Sequence, residues 1–149
     1  MTASRRFLLI ATALLTTGWS APQERPLAVA PDDATIRWSP CPPIFARGCE
    51  MTVLHGDPGR PNADVLLRVP AGFTIAAHTH TSAERMILVA GRLTVKYLDA
   101  PETTLAAGSY AYGPAGTPHR ATCVGDEACV LFIAFEGPVD AHPYAGPLD

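Results

Sequence analysis

At 149 residues, with 48% hydrophobic and 17% charged side chains, the chain can close one domain around a single core and is too apolar for a disordered segment. Its 11 Lys+Arg against 14 Asp+Glu give a formal charge of −3 with no basic cluster, which argues against nucleic acid and anionic membrane surfaces as partners. The 15 prolines and 12 glycines suit many short strands joined by turns.

Residues 1–20 read as an export signal. Arg5 and Arg6 precede an apolar run, Phe7 to Thr17, that is short for a bilayer span, and Gly18 and Ser20 stand at −3 and −1 of a cut before Ala21. Ser4-Arg5-Arg6 followed by Phe7-Leu8-Leu9 also resembles, in outline, a twin-arginine signal. Cleavage after Ser20 removes Arg5 and Arg6 and leaves 9 Lys+Arg against 14 Asp+Glu, a formal charge of −5. The expected mature protein is periplasmic or secreted and free of the membrane.

Residues 21–50 carry Pro22, Pro26, Pro31, Pro40, Pro42 and Pro43 without periodicity and read as an extended arm on the domain. The four cysteines, Cys41, Cys49, Cys123 and Cys129, all follow the signal, so an even count in an exported chain points to disulfides. Of the three pairings that four cysteines allow, the local ones are preferred. Cys41–Cys49 would tie down the arm. Val124 to Ala128 reads as a hairpin tip, across which Cys123 and Cys129 would face each other on paired strands.

Short apolar runs punctuated by Gly and Pro fill residues 51–137, with expected strands at Thr52–His55, Val65–Val69, Thr74–His80, Arg85–Val89, Arg92–Leu98, Ser109–Tyr112, His119–Val124 and Ala128–Phe135. No amphipathic helical period competes with them. This number and spacing of strands predicts an all-β jelly roll, a double-stranded β-helix in one domain. Residues 138–149 read as an irregular tail.

The chemistry concentrates in His78-Thr79-His80-Thr81-Ser82-Ala83-Glu84. Residues two apart on a strand share a face, so His78 and His80 present both imidazoles to one point. A turn through Thr81-Ser82-Ala83 brings Glu84 beside them, and His119 opens a later strand after the Pro114-to-Pro118 turn. Three imidazoles and one carboxylate suit one divalent ion such as Fe, Mn, Ni, Cu, Co or Zn, with two positions of a six-coordinate ion left open. His55 and His142 stand apart and are expected at the surface.

Two motifs resemble those of the cupin superfamily. Gly72-x5-His78-x-His80-x3-Glu84-x6-Gly91 fits the first at every defined position, and Gly108-x5-Pro114-x-Gly116-x2-His119 fits the second, which here ends on Cys123 where the family usually has Asn. The resemblance spans residues 72–123 and, by strand pattern, roughly 52–136. It implies a barrel with the metal in one mouth, ligated by His78, His80, Glu84 and His119, and it allows a homodimer. Such barrels include oxygenases, decarboxylases, isomerases and epimerases, and also non-catalytic binders and sensors, so fold alone does not assign the activity.

Strand parity sends Met86 and Leu88 inward from Glu84, and Ala121 and Cys123 inward from His119, with Arg85 and Arg120 outside. The expected cavity wall is Ile75, Met86, Leu88, Ala121 and Tyr112, the tyrosine being placed in the core with Tyr110 because large aromatics are usually buried. No general acid or base stands out beyond the ligands. The reading favoured is an exported mononuclear metalloenzyme, of oxygenase or lyase type, acting on a small organic molecule. The alternative is a non-catalytic metal- or small-molecule-binding sensor module.

Overall fold

The computed structural model describes residues 25–149, so the expected signal segment lies outside the described residues. Eleven strands occur among the described residues and none is followed by a helix: β1 (Ser39–Pro40), β2 (Glu50–His55), β3 (Ala63–Val69), β4 (Thr74–Thr79), β5 (Glu84–Ala90), β6 (Arg92–Tyr97), β7 (Thr103–Ala106), β8 (Tyr110–Gly113), β9 (His119–Cys123), β10 (Cys129–Phe135) and β11 (His142–Pro143). They form a six-stranded sheet in the order β1-β2-β3-β10-β5-β8 and a five-stranded sheet in the order β11-β4-β9-β6-β7, with every pairing antiparallel. This is the jelly-roll barrel that the strand pattern predicts.

The core lies between the sheets. Along β10, Cys129, Leu131, Ile133 and Phe135 are buried while the residues between them are half-buried, the period-two signature of a strand with one face on the core. Along β5, Glu84, Met86 and Leu88 are buried and Arg85 and Ile87 exposed. Val65, Val69, Leu93, Val95, Leu105 and Ala121 complete the packing from the remaining strands.

The chain changes sheet at almost every turn, because β3, β5, β8 and β10 lie in one sheet and β4, β6, β9 and β11 in the other. This corrects the hairpin expected at Val124–Ala128. β9 pairs with β4 and β6, whereas β10 pairs with β3 and β5, so the segment between them crosses the barrel. Cys123 and Cys129 are still bonded, with Cα atoms 5.8 Å apart, but the bridge joins the two sheets instead of two neighbours in one. Gly91 permits the close approach there. At φ +82° it adopts a conformation few side chains tolerate, and a Cβ would meet the Ala128 carbonyl oxygen at 2.5 Å.

Segments without sequence periodicity are also built in. Ser39–Pro40 pairs with β2, and Trp38 lies under the Arg68 guanidinium, 4.2 Å from its ring centroid. The Cys41–Cys49 disulfide closes a loop that packs Phe45 against the core. In the tail, His142 and Pro143 pair with β4, Val139 packs on the core and Leu148 is buried.

Candidate metal centre

β4 brings two histidines to the site through an irregularity. Ile75 lies opposite Ala121 and His78 opposite His119, so β4 uses three residues where β9 uses two. Simple alternation would turn Ile75 and His78 to opposite faces. The bulge at Ala76 and Ala77 resets the phase, so that Ile75, His78 and His80 are all buried. It also turns the Ala76 carbonyl toward His78, whose Nδ1 donates to it at 2.7 Å.

His119 is set by the turn between β8 and β9. The Gly116 amide donates to the His80 carbonyl at 2.8 Å and the Thr117 amide to Pro114 at 3.1 Å, fixing that turn against the end of β4. The Thr117 carbonyl then accepts from His119 Nδ1 at 3.1 Å. Glu84 enters from the opposite sheet at the start of β5, facing Gly113 of β8. A Cβ at Gly113 would lie 2.9 Å from both Cγ and Oε1 of Glu84, so glycine leaves the space that the carboxylate fills.

The four side chains converge. His78 and His80 bring their Nε2 atoms to 3.1 Å, His119 Nε2 lies 3.1 Å from Glu84 Oε1, and His80 Nε2 lies 3.4 Å from Glu84 Oε2. The candidate ligand atoms of His78, His80 and His119 all fall within 4.8 Å of one another, and all four residues are buried. Each histidine spends Nδ1–H on a backbone carbonyl: Ala76, Asp140 and Thr117 respectively. Each Nε2 is thereby left as the lone-pair nitrogen facing the centre, the outer-shell arrangement that orients imidazoles on metals.

Without a cation this arrangement is costly. Two lone-pair nitrogens at 3.1 Å repel, and with His119 Nδ1 carrying the proton, buried Glu84 Oε1 faces a further lone-pair nitrogen at 3.1 Å with no hydrogen between them. A divalent ion would satisfy both, so His78, His80 and His119 could hold one, and the nitrogen-rich set with a carboxylate alongside suits Fe, Mn, Ni, Cu or Zn.

The electrostatics of the metal-free form follow from burial and pairing. Burial, then the charge of His119, pushes His78 down to about 4. Burial would lower His119 as well, but the Glu84 carboxylate outweighs it and raises that pKa. Burial would raise Glu84, yet the three imidazoles, His119 foremost, hold it below its ordinary value. Between pH 6.5 and about 4 the unfolded chain protonates His78 and the native metal-free state does not, so stability falls as pH drops through that window. His119 adds no slope there, because its raised pKa stabilises fully below 6.5 and is lost only as pH rises through its folded value. Denaturant titrations in chelator between pH 7 and 4 are expected to show this fall, and His78→Gln to flatten it.

Other residues shape the site. Asp140 supplies the carbonyl that accepts from His80, and its carboxylate is clamped by the Thr81 amide at 2.9 Å and by the Thr81 hydroxyl. Burial would raise the Asp140 carboxyl, but the Thr81 hydrogen bonds and His142 hold it low, keeping the clamp charged. Asp140→Ala is expected to weaken metal binding by roughly tenfold, measured by competition with a chromophoric chelator. Unchanged affinity would remove the tail from the site. Phe45 packs edge-on to His78 at 5.0 Å, Phe135 does so to His80 at 5.2 Å, and the Tyr97 ring lies 5.1 Å from His119. The Tyr97 hydroxyl is buried without a partner, and that burial, with the nearby Glu84 charge, raises its pKa.

The site faces a cavity of about 70 Å³. Ile75, Met86 and Ala121 line it, together with Val95, Leu131 and Ile133. Leu88 is fully buried in the core away from the cavity wall. Tyr112 is a correction: β8 turns Ala111 and Gly113 inward, so Tyr110 and Tyr112 are 58% and 48% exposed. The interior opposite β8 is taken by Glu84, which leaves no room for a ring. His55 and His142 are exposed, as are Arg85, paired with Glu136, and Arg120, 3.8 Å from Glu102. Phe45, Asp140, Tyr97 and Gly113 are the site residues that sequence reasoning missed. Phe45, between two cysteines, carried a signal in being tethered. Asp140, 60 residues from His80, carried none.

Residues 65–135 match the family model of the cupin domain. By this match and by its fold the chain is a cupin-type barrel. This cupin is similar in structure to the DMSP lyase DddQ from Ruegeria pomeroyi DSS-3, at 21% identity over 74% of this chain and 61% of that one, with a TM-score of 0.62. It is similar also to an RmlC-like cupin from Shewanella frigidimarina NCIMB 400, at 19% identity over 70% and 86%, TM-score 0.58. Against the oxalate decarboxylase of Lactobacillus farciminis the values are 20%, 73% and 34%, TM-score 0.60. This cupin spans less than two thirds of the DMSP lyase chains it matches. No curated protein matches it. Likeness at these identities establishes the fold.

Proposed function

We propose that this cupin is an exported mononuclear metalloprotein in which His78, His80, Glu84 and His119 hold one divalent ion, and that it is an enzyme of lyase or oxygenase type acting on a small organic molecule at that ion. The observation that carries the reading is the convergence of three Nε2 atoms and a buried carboxylate, each imidazole oriented by a backbone carbonyl, on the wall of a cavity. Packing alone has no use for four buried polar groups arranged in this way. When bound, the ion would supply Lewis acidity, and any redox chemistry would follow from its identity.

The chain's own part is to orient and to exclude water. Apolar walls from both sheets keep the ligand side dry, and Phe45 and Phe135 hold two of the imidazoles in place. Structural neighbours named as DMSP lyases and as oxalate oxidase and decarboxylase support the reading that this barrel can host small-molecule chemistry. Two disulfides favour an oxidising compartment, in keeping with export.

The test is elemental analysis of protein purified without chelators or an affinity tag. Near-stoichiometric Fe, Mn, Ni or Cu supports the enzymatic reading and directs assays of oxygen uptake and lyase activity. Absence of any bound metal after reconstitution would refute it.

A further inference from the structure

The lining of the cavity limits what the site can take, and the limit rests on the metal reading above. Apart from the four residues of the centre, the lining contains one ionisable residue, Asp140, among the described residues. Its carboxylate is already held by Thr81, with His142 3.4 Å away. The wall offers no arginine, lysine, hydroxyl or side-chain amide. Every further contact is aliphatic, aromatic or thioether, from Phe45 and Met51 on one side to Leu131, Ile133 and Phe135 on the other.

We infer that the ligand is a small monoanion with its oxygen donors at one end and a compact apolar body, such as a branched short-chain 2-oxo or 2-hydroxy acid. Charge balance at the centre gives the first part, since the Asp140 carboxylate is turned to Thr81 and His142 in exposed hydrogen bonds. There a divalent ion with the Glu84 carboxylate leaves one positive charge, which a monoanion neutralises, whereas a dianion would bury an unpaired negative charge against apolar walls. A second carboxylate or a sugar's row of hydroxyls would likewise enter a wall with no partner for it. Volume gives the second part. At about 10–15 Å³ for each water-sized position, the 70 Å³ cavity holds roughly five such groups, the size of a short branched chain.

The experiment is calorimetric titration of the metal-loaded full chain, its metal content established first by elemental analysis. The probes share one head: pyruvate, 2-oxo-3-methylbutanoate and 2-oxoglutarate. Burial of each added methylene is worth roughly fourfold in affinity. The branched acid is therefore expected to bind about fifteenfold more tightly than pyruvate, and 2-oxoglutarate, with its distal charge, more weakly than the branched acid. Ala121→Leu, which fills the cavity, is expected to retain metal and bind the branched acid no better than pyruvate. Equal or tighter binding of 2-oxoglutarate or pyruvate, or binding of none of the three by metal-loaded protein, overturns the inference and leaves the metal reading intact. Failure to load any metal overturns both.

Discussion

Replacing His119 with alanine is expected to abolish stoichiometric metal binding while leaving the barrel folded. His119 lies at the first residue of β9, so its removal deletes a ring from the cavity wall and spares the strand's inward apolar face at Ala121 and Cys123. It takes away one of three converging nitrogens, and affinity is expected to fall on the order of a hundredfold or more, beyond the 10–100-fold typical of outer-shell changes. Stability gives an independent readout. At a free metal concentration of 100 times Kd, binding stabilises the native state by about 2.7 kcal/mol. The parent protein is expected to gain that much on metal addition and the variant almost nothing. A variant that keeps the parent's metal content and its stabilisation would place the ion elsewhere.

The second large effect concerns the bridge between the sheets. Cys123 and Cys129 are fully buried and close a short loop, with a sequence separation of 6. Chain-entropy reasoning for a loop of that size gives about 2–2.5 kcal/mol, and the lost packing of two buried sulfurs adds to it. The double replacement by alanine is expected to lower the melting temperature by on the order of 10 °C, followed by thermal unfolding under non-reducing conditions. Since neither sulfur is exposed, reductant alone is expected to leave the parent unchanged until denaturant is added. A double variant as stable as the parent would show that the sheets are held by packing alone.

The metal-site residues were legible because their spacing is itself geometric: two histidines two apart on a strand, a carboxylate after a three-residue turn, and a third histidine after a Pro/Gly turn. What the spacing hid was the bulge. By strict alternation Ile75 and His78 cannot both face inward, and only the extra residue at Ala76–Ala77 lets them. The hairpin at Val124–Ala128 was misread because a short polar loop between apolar runs looks alike whether the chain returns within its sheet or crosses to the other. Tyr112 was misplaced because burial of aromatics is a tendency, and here two small residues, Ala111 and Gly113, were needed on the inner face to make room for Glu84. The two-residue strands at Ser39–Pro40 and His142–Pro143 are too short to show any period.

Phe45 and Asp140 both lie outside residues 65–135, the stretch that matches the cupin model. Most of the cavity wall thus comes from the stretch that matches the family model, and part of it from the flanking segments. A change in those segments can therefore act on the wall alone, as at Pro42, or on the ion's ligands as well, as at Phe45 and Asp140. A chain ending at Phe135 would keep all four ligating side chains but lose the Asp140 carbonyl that accepts from His80 and the wall at Val139 and Ala141.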